Sequence, residues 1–189
     1  DNLSLGLRAS SFTTLKESYN DKYEYILPEV TFNKNLFSEK FGNGDFQTNF
    51  KVHNFDTNKT KKVLVNNLDW EFDNSNNFVD SKFLSSIKNV NYDIKNVNNF
   101  KTDTTNELFG AIGYQASIDY FKKIAETSHI ITPKFLLKFS PNHMRKENED
   151  INLNEADIFS LNRVNSNENF ESGTNLTIGL DYEKKNQFD

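Results

Sequence analysis

Cysteine is absent from this 189-residue chain, which excludes disulfides, thiolate metal sites and cysteine nucleophiles. Arginine is scarce, confined to Arg8, Arg145 and Arg163. No apolar run approaches the length of a membrane helix, and no signal peptide opens the chain. The first residues, DNLSLGLRAS, already alternate as a strand and carry no initiator methionine. The expectation is a piece of a longer protein, so the compartment stays open. No GxSxG, HExxH or phosphate-cradle signature occurs; FGNGDF at 41–46 lacks the lysine and the helix of such a cradle and reads as a turn. Excess positive charge is missing too: the formal charge is −5 with no basic patch interleaved with aromatics, so no nucleic-acid partner is expected.

Apolar residues make up only 35% of the chain, yet 14% is aromatic. Disordered chains are poor in aromatics, so disorder does not explain the polarity. A barrel with a watery interior does, because each strand then needs apolar residues only at alternate positions.

That alternation is the dominant pattern. Leu3, Leu5 and Leu7 alternate with Ser4, Gly6 and Arg8. Phe46, Phe50 and Val52 oppose Gln47, Asn49 and Lys51; Leu64, Leu68, Trp70 and Phe72 oppose Asn67, Asp69 and Glu71. Leu108, Ile112, Tyr114, Ala116, Ile118 and Tyr120 form the longest such face, and Leu176, Ile178, Leu180 and Tyr182 the last. One apolar and one polar face, repeated, predicts an all-β antiparallel sheet of roughly eight to ten strands with one wet side. Pro28 marks a phase shift and predicts a bulge or an edge. Over 82–98, Phe83, Ile87, Val90, Ile94 and Val97 allow a helix, but β-branched residues and asparagine favour a strand with Leu84, Val90, Tyr92 and Ile94 on one face. Polar connections are expected near 33–45, 73–81, 98–106, 121–129, 140–156 and 165–173.

The candidates for chemistry are weak. His53 falls in a strand, His129 and His143 in expected loops, with no metal-ligand spacing among them. The acidic run Glu147, Glu149, Asp150, Glu155 and Asp157 has oxygen ligands but no EF-hand spacing, and reads as a solvated loop. No catalytic, cofactor or metal residue is assigned. Tyr19, Tyr23, Tyr25, Trp70, Phe72, Tyr92, Tyr114, Tyr120 and Tyr182 fall mostly near strand ends, where either membrane-interface girdles or ordinary sheet packing would use them.

Several segments resemble the barrel region of the lipopolysaccharide-assembly outer-membrane protein family, the LptD or organic-solvent-tolerance family, in its α-proteobacterial form. They are YEYILPEVTF (23–32), SIKNVNYDIKN (86–96), TTNELFGAIGYQASID (104–119), TPKFLLKFSPNHMRK (132–146), DIFSLNRV (157–164) and ESGTNLTIGLDYE (171–183). The specificity lies in the set and its order. The resemblance implies a large outer-membrane barrel of about 26 strands, a periplasmic jelly-roll domain, a plugging lipoprotein of the LptE type, and periplasmic bridge proteins that deliver lipopolysaccharide. It implies transport and no catalysis. On this reading residues 1–189 are part of the C-terminal barrel domain, with no second domain and too few strands to close it. The interdomain cysteines of some relatives are absent, and no gate residue is transferred. A porin-like channel and a soluble β-sheet adhesin or binding module are the alternatives.

In the barrel reading Ile131, Phe135, Leu137 and Phe139 face lipid, Lys134 and Lys138 face the lumen, and Pro141 ends the strand. Lys51, Asp69, Glu71, Gln115, Asp119 and Asp181 join the lumen side by strand parity. Arg163 shares parity with Phe159 and Leu161, which breaks a simple division. Either a strand over 158–164 has Ile158, Ser160 and Val164 outward with Phe159, Leu161 and Arg163 lining the interior, or that stretch is partly a loop structure inside the lumen.

Overall fold

The computed structural model describes residues 2–13, 24–98, 104–124, 126–141, 155–164 and 167–186. Nine strands form one sheet: β1 (Leu3–Ser11), β2 (Tyr25–Ser38), β3 (Gly42–Asp56), β4 (Lys59–Asp73), β5 (Asp80–Lys95), β6 (Thr105–Ser117), β7 (Tyr120–Ile124), β8 (Thr127–Ser140) and β9 (Gly173–Asn186). The order runs β1 to β6, then β8 and β7, with β9 pairing β8. The only helical element among the described residues is one 3₁₀ turn, Glu155–Asp157. The all-β expectation holds: of 82–98, residues 82–95 belong to β5 and none is helical.

The bulge expected at Pro28 is present. Arg8 pairs Glu29 and Ser10 pairs Ile26, so Leu27 and Pro28 together oppose Ala9. Two expected loops are corrected. The connection between β2 and β3 is only 39–41, and most of 121–129 belongs to β7 and β8, joined at 125–126. Gly42 starts β3 at φ +91°, and a Cβ there would lie 2.1 Å from the Glu71 carbonyl oxygen. Only glycine fits that position.

β6 and β7 are two lengths of one strand. Ile112 pairs Phe139, Ser117 pairs Lys134, Tyr120 pairs Ile131 and Ile124 pairs Thr127, all in one register. Pro133 explains the break. It accepts a bond from the Ile118 N–H at 3.2 Å but has no N–H to return, so the ladder thins at 118–119.

The chain divides into two compact units, residues 1–37, 43–69 and 87–109, and residues 38–42, 70–86 and 110–189. In the first, Val63 and Val65 of β4, Val90, Tyr92 and Ile94 of β5, and Phe109 of β6 are buried, with Lys88 among them. Tyr92 is therefore a core residue, which for this ring is the sheet-packing alternative. Leu3, Leu5 and Leu7 are exposed. In the second unit, Leu136, Lys138 and Ser140 of β8 are buried, as are Leu161 and Phe170 of the β8–β9 connection.

Candidate functional site

β8 carries the sharpest contrast between faces. Phe135, Leu137 and Phe139 are exposed, while the Lys138 side chain between them is 2% exposed. β9 pairs β8 along fourteen consecutive residues, Thr127 opposite Asn186 through Ser140 opposite Gly173. That register puts Ile178 beside Phe135 and Leu176 beside Leu137 on the exposed side, at 74% and 61% exposure. The polarity is inverted: apolar side chains meet the surroundings and a lysine is buried.

The buried side holds a cluster built on Glu171, in the connection that returns from β8 to β9. Arg163 Nε donates to Glu171 Oε2 at 2.9 Å and its Nη2 donates to Oε1, a two-point grip of guanidinium on carboxylate. The Lys138 ammonium sits 3.1 Å from Glu171 Oε2, an ion pair outside hydrogen-bond geometry. Asn175 Nδ2 of β9 donates to Glu171 Oε1 at 3.0 Å. The Glu171 N–H donates to Asn162 Oδ1 at 3.0 Å, closing the connection on itself. Burial pushes the Glu171 carboxyl up, but the Arg163 and Lys138 cations outweigh it and pull it down to about 2.

Glycines make room for this connection. A Cβ on Gly113 of β6 would lie 2.6 Å from Leu161 Cδ2, and one on Gly179 of β9 would lie 2.7 Å from the Phe159 ring. Lys134 Nζ lies 4.5 Å from the centre of that ring, a cation–π contact, and 2.6 Å from Asp181 Oδ2. Residues 158–164 are thus a loop docked on the polar side of β6, β8 and β9, which decides between the two sequence alternatives. Phe159, Leu161 and Arg163 point into the sheet because the loop lies on it.

Of the lumen candidates, Lys134, Lys138 and Asp181 belong to this cluster. Asp119 accepts from Thr132 Oγ1 at 2.5 Å, Glu71 pairs with Lys82 at 3.2 Å, and Gln115 is half-buried. Lys51 and Asp69 belong to the first unit, where Asp69 accepts from Asn67. Sequence parity missed Glu171, Asn162 and Asn175 as partners; Gly113 and Gly179 inside strands were the available sign of a close approach. His53 bonds Glu24 at 3.0 Å in the first unit, and His129 lies in β8 instead of a loop. His143, Tyr19, Tyr23 and the acidic residues 147–150 lie outside the described residues, among which no group of three or more His, Asp or Glu is placed to hold a metal. No described helix is long and apolar enough to cross a membrane, a statement that leaves strands untouched.

The family model of LptD, described as LPS transport system D, matches residues 1–187. The chain belongs to the LptD family. A comparison with curated proteins found no match. Membership of the LptD family assigns the chain to a lipopolysaccharide transport system, and the family resemblance read from the sequence stands.

Proposed function

We propose that residues 1–189 are part of the barrel domain of an outer-membrane translocon that assembles lipopolysaccharide into the outer leaflet. The carrying observation is the inverted polarity of β8 and β9. A soluble module would bury Leu176, Ile178 and Leu180 and leave Lys138 in water, because exposed leucine and buried lysine each oppose the hydrophobic and solvation terms. Hydrocarbon outside and water inside reverse both terms. Strands of 13–16 residues, as in β2 to β6, exceed the roughly 9–11 needed to cross a bilayer and continue past it.

The work is transport. Lipopolysaccharide is the cargo; an LptE-type lipoprotein and periplasmic bridge proteins are the partners. The loop on the polar side favours this over a porin-like channel, because it fills space that an open pore keeps for water. No step of bond chemistry is assigned to any residue.

The test uses the full-length protein folded in a bilayer, with single spin labels along 131–139 and 174–182. Oxygen accessibility should peak at Phe135, Leu137, Leu176, Ile178 and Leu180, with a water-soluble quencher in antiphase. Shielding of these positions from both reagents would mean packing against protein and would overturn the membrane reading.

A further inference from the structure

The connection from β7 to β8 closes an end of the sheet whose composition differs from everything above it. Register places Tyr120, Ile131 and Tyr182 in one row across β7, β8 and β9. Two residues nearer the turn, on the same face, the next row is Lys122, His129 and Lys184. Behind it, on the opposite face, stand Lys123, Ser128 and Lys185. The carboxylates close by are Glu126 in the turn and Glu183, which pairs with Lys185 at 3.1 Å. On the face of Tyr120 and Tyr182 the rows from here to the turn, which end with Ile124, Thr127 and Asn186, contain no acid.

Hydrogen bonding fixes the middle of the row. Thr127 Oγ1 gives its proton to the Ile124 carbonyl at 2.8 Å, so its oxygen accepts from His129 Nε2–H at 3.1 Å. His129 Nδ1 then accepts from the Tyr182 hydroxyl at 2.7 Å. The imidazole is occupied on both nitrogens and holds the Tyr182 ring, leaving the ammonium groups of Lys122 and Lys184 to either side. Both lysines are exposed. Two strand spacings separate their backbones, about 10 Å. An apolar band, an aromatic row and a cationic row in that order match the hydrocarbon, interface and headgroup layers of a bilayer.

We propose that Lys122 and Lys184, framed by the His129–Tyr182 pair, form a binding site for the headgroup of an anionic glycerophospholipid. The inference rests on the membrane reading proposed above. The connections at this end of the second unit, 39–41, 74–79 and 125–126, are short, and the one at the far end of β8 is long, 141–172. Short turns mark the periplasmic side of outer-membrane barrels, so the lipid belongs to the periplasmic leaflet.

A fluorophore on a Tyr120→Cys variant of the full-length protein tests this, in vesicles carrying equal fractions of nitroxide-labelled phosphatidylglycerol or phosphatidylcholine. With both lysines present, phosphatidylglycerol should quench with a preference of about five-fold, the scale of one lysine at a charged surface, and added salt should reduce it. The pair Lys122→Gln and Lys184→Gln should abolish the preference and leave quenching by phosphatidylcholine unchanged. Equal quenching by both lipids in the lysine-bearing protein, or a preference that survives the double substitution, overturns the headgroup site alone. Quenching by neither lipid overturns the membrane reading and the site with it.

Discussion

Glu171 is the residue on which the β8–β9 connection turns, since Arg163, Lys138 and Asn175 all converge on its two oxygens. Removing one member of a buried ion pair leaves the other uncompensated, a loss of about 3–5 kcal/mol. Glu171→Gln should therefore lower the unfolding temperature of the detergent-folded protein, and adding Lys138→Met should recover most of the loss by removing the stranded charge. The carboxyl also predicts a pH response. Its folded value, about 2, lies below the ordinary 4.5, so its contribution is fully present above about 4.5 and fades as pH falls towards 2. Amide exchange in 158–172, measured between pH 5 and pH 2 and corrected for intrinsic rates, should rise along that window; a flat profile would count against Glu171 as the anchor. None of this was legible from alternation. Pattern reading assigns a face to a residue in a strand, whereas Glu171 meets Lys138 through a long excursion that no local period records.

At the scale of elements, strand identity followed from period-2 patterning, and strand ends did not. Residues 33–38, where only Leu36 and Phe37 are apolar, and the polar 127–129 read as loop, yet the strands continue through them. A strand that outruns the apolar layer needs no apolar residues at its ends, so composition changes before the ladder stops. Glycines offer a sharper check on the elements. Gly42→Ala should destabilise the β2–β3 hairpin by more than about 1 kcal/mol, because both its φ and the Glu71 carbonyl forbid a side chain. Gly113→Ala should instead displace Leu161 and raise exchange in the docked loop. Gly110→Ala, where the nearest atom to a Cβ is the Ser86 oxygen at 3.7 Å, serves as the tolerated control. Equal effects of the Gly113 and Gly110 substitutions would mean that the loop does not rest on β6.

For the whole molecule, the sequence made the apolar side of β8 and β9 plain, since Phe135, Leu137, Leu176 and Ile178 fall at alternate positions without exception. The buried side of the first unit was harder. Val63 and Val65 are buried on the face they share with Asn67 and Asp69, so that face is apolar in one stretch and polar in the next. The exposed face of β8 and β9 is apolar over 135–139 and 176–180, whereas the buried face sets Leu136 between Lys134 and Lys138, as β4 sets Val63 and Val65 beside Asn67 and Asp69. In β8 and β9 the fourteen-residue register runs without a bulge. It makes this hairpin a reading frame in the literal sense. Inserting one residue after Ile131 would turn Phe135, Leu137 and Phe139 towards the loop and send Lys138 to the exposed apolar face, whereas inserting two would restore the phase. Length changes in this segment should therefore be tolerated by parity, even-numbered insertions folding and odd-numbered ones failing, whatever residues are added.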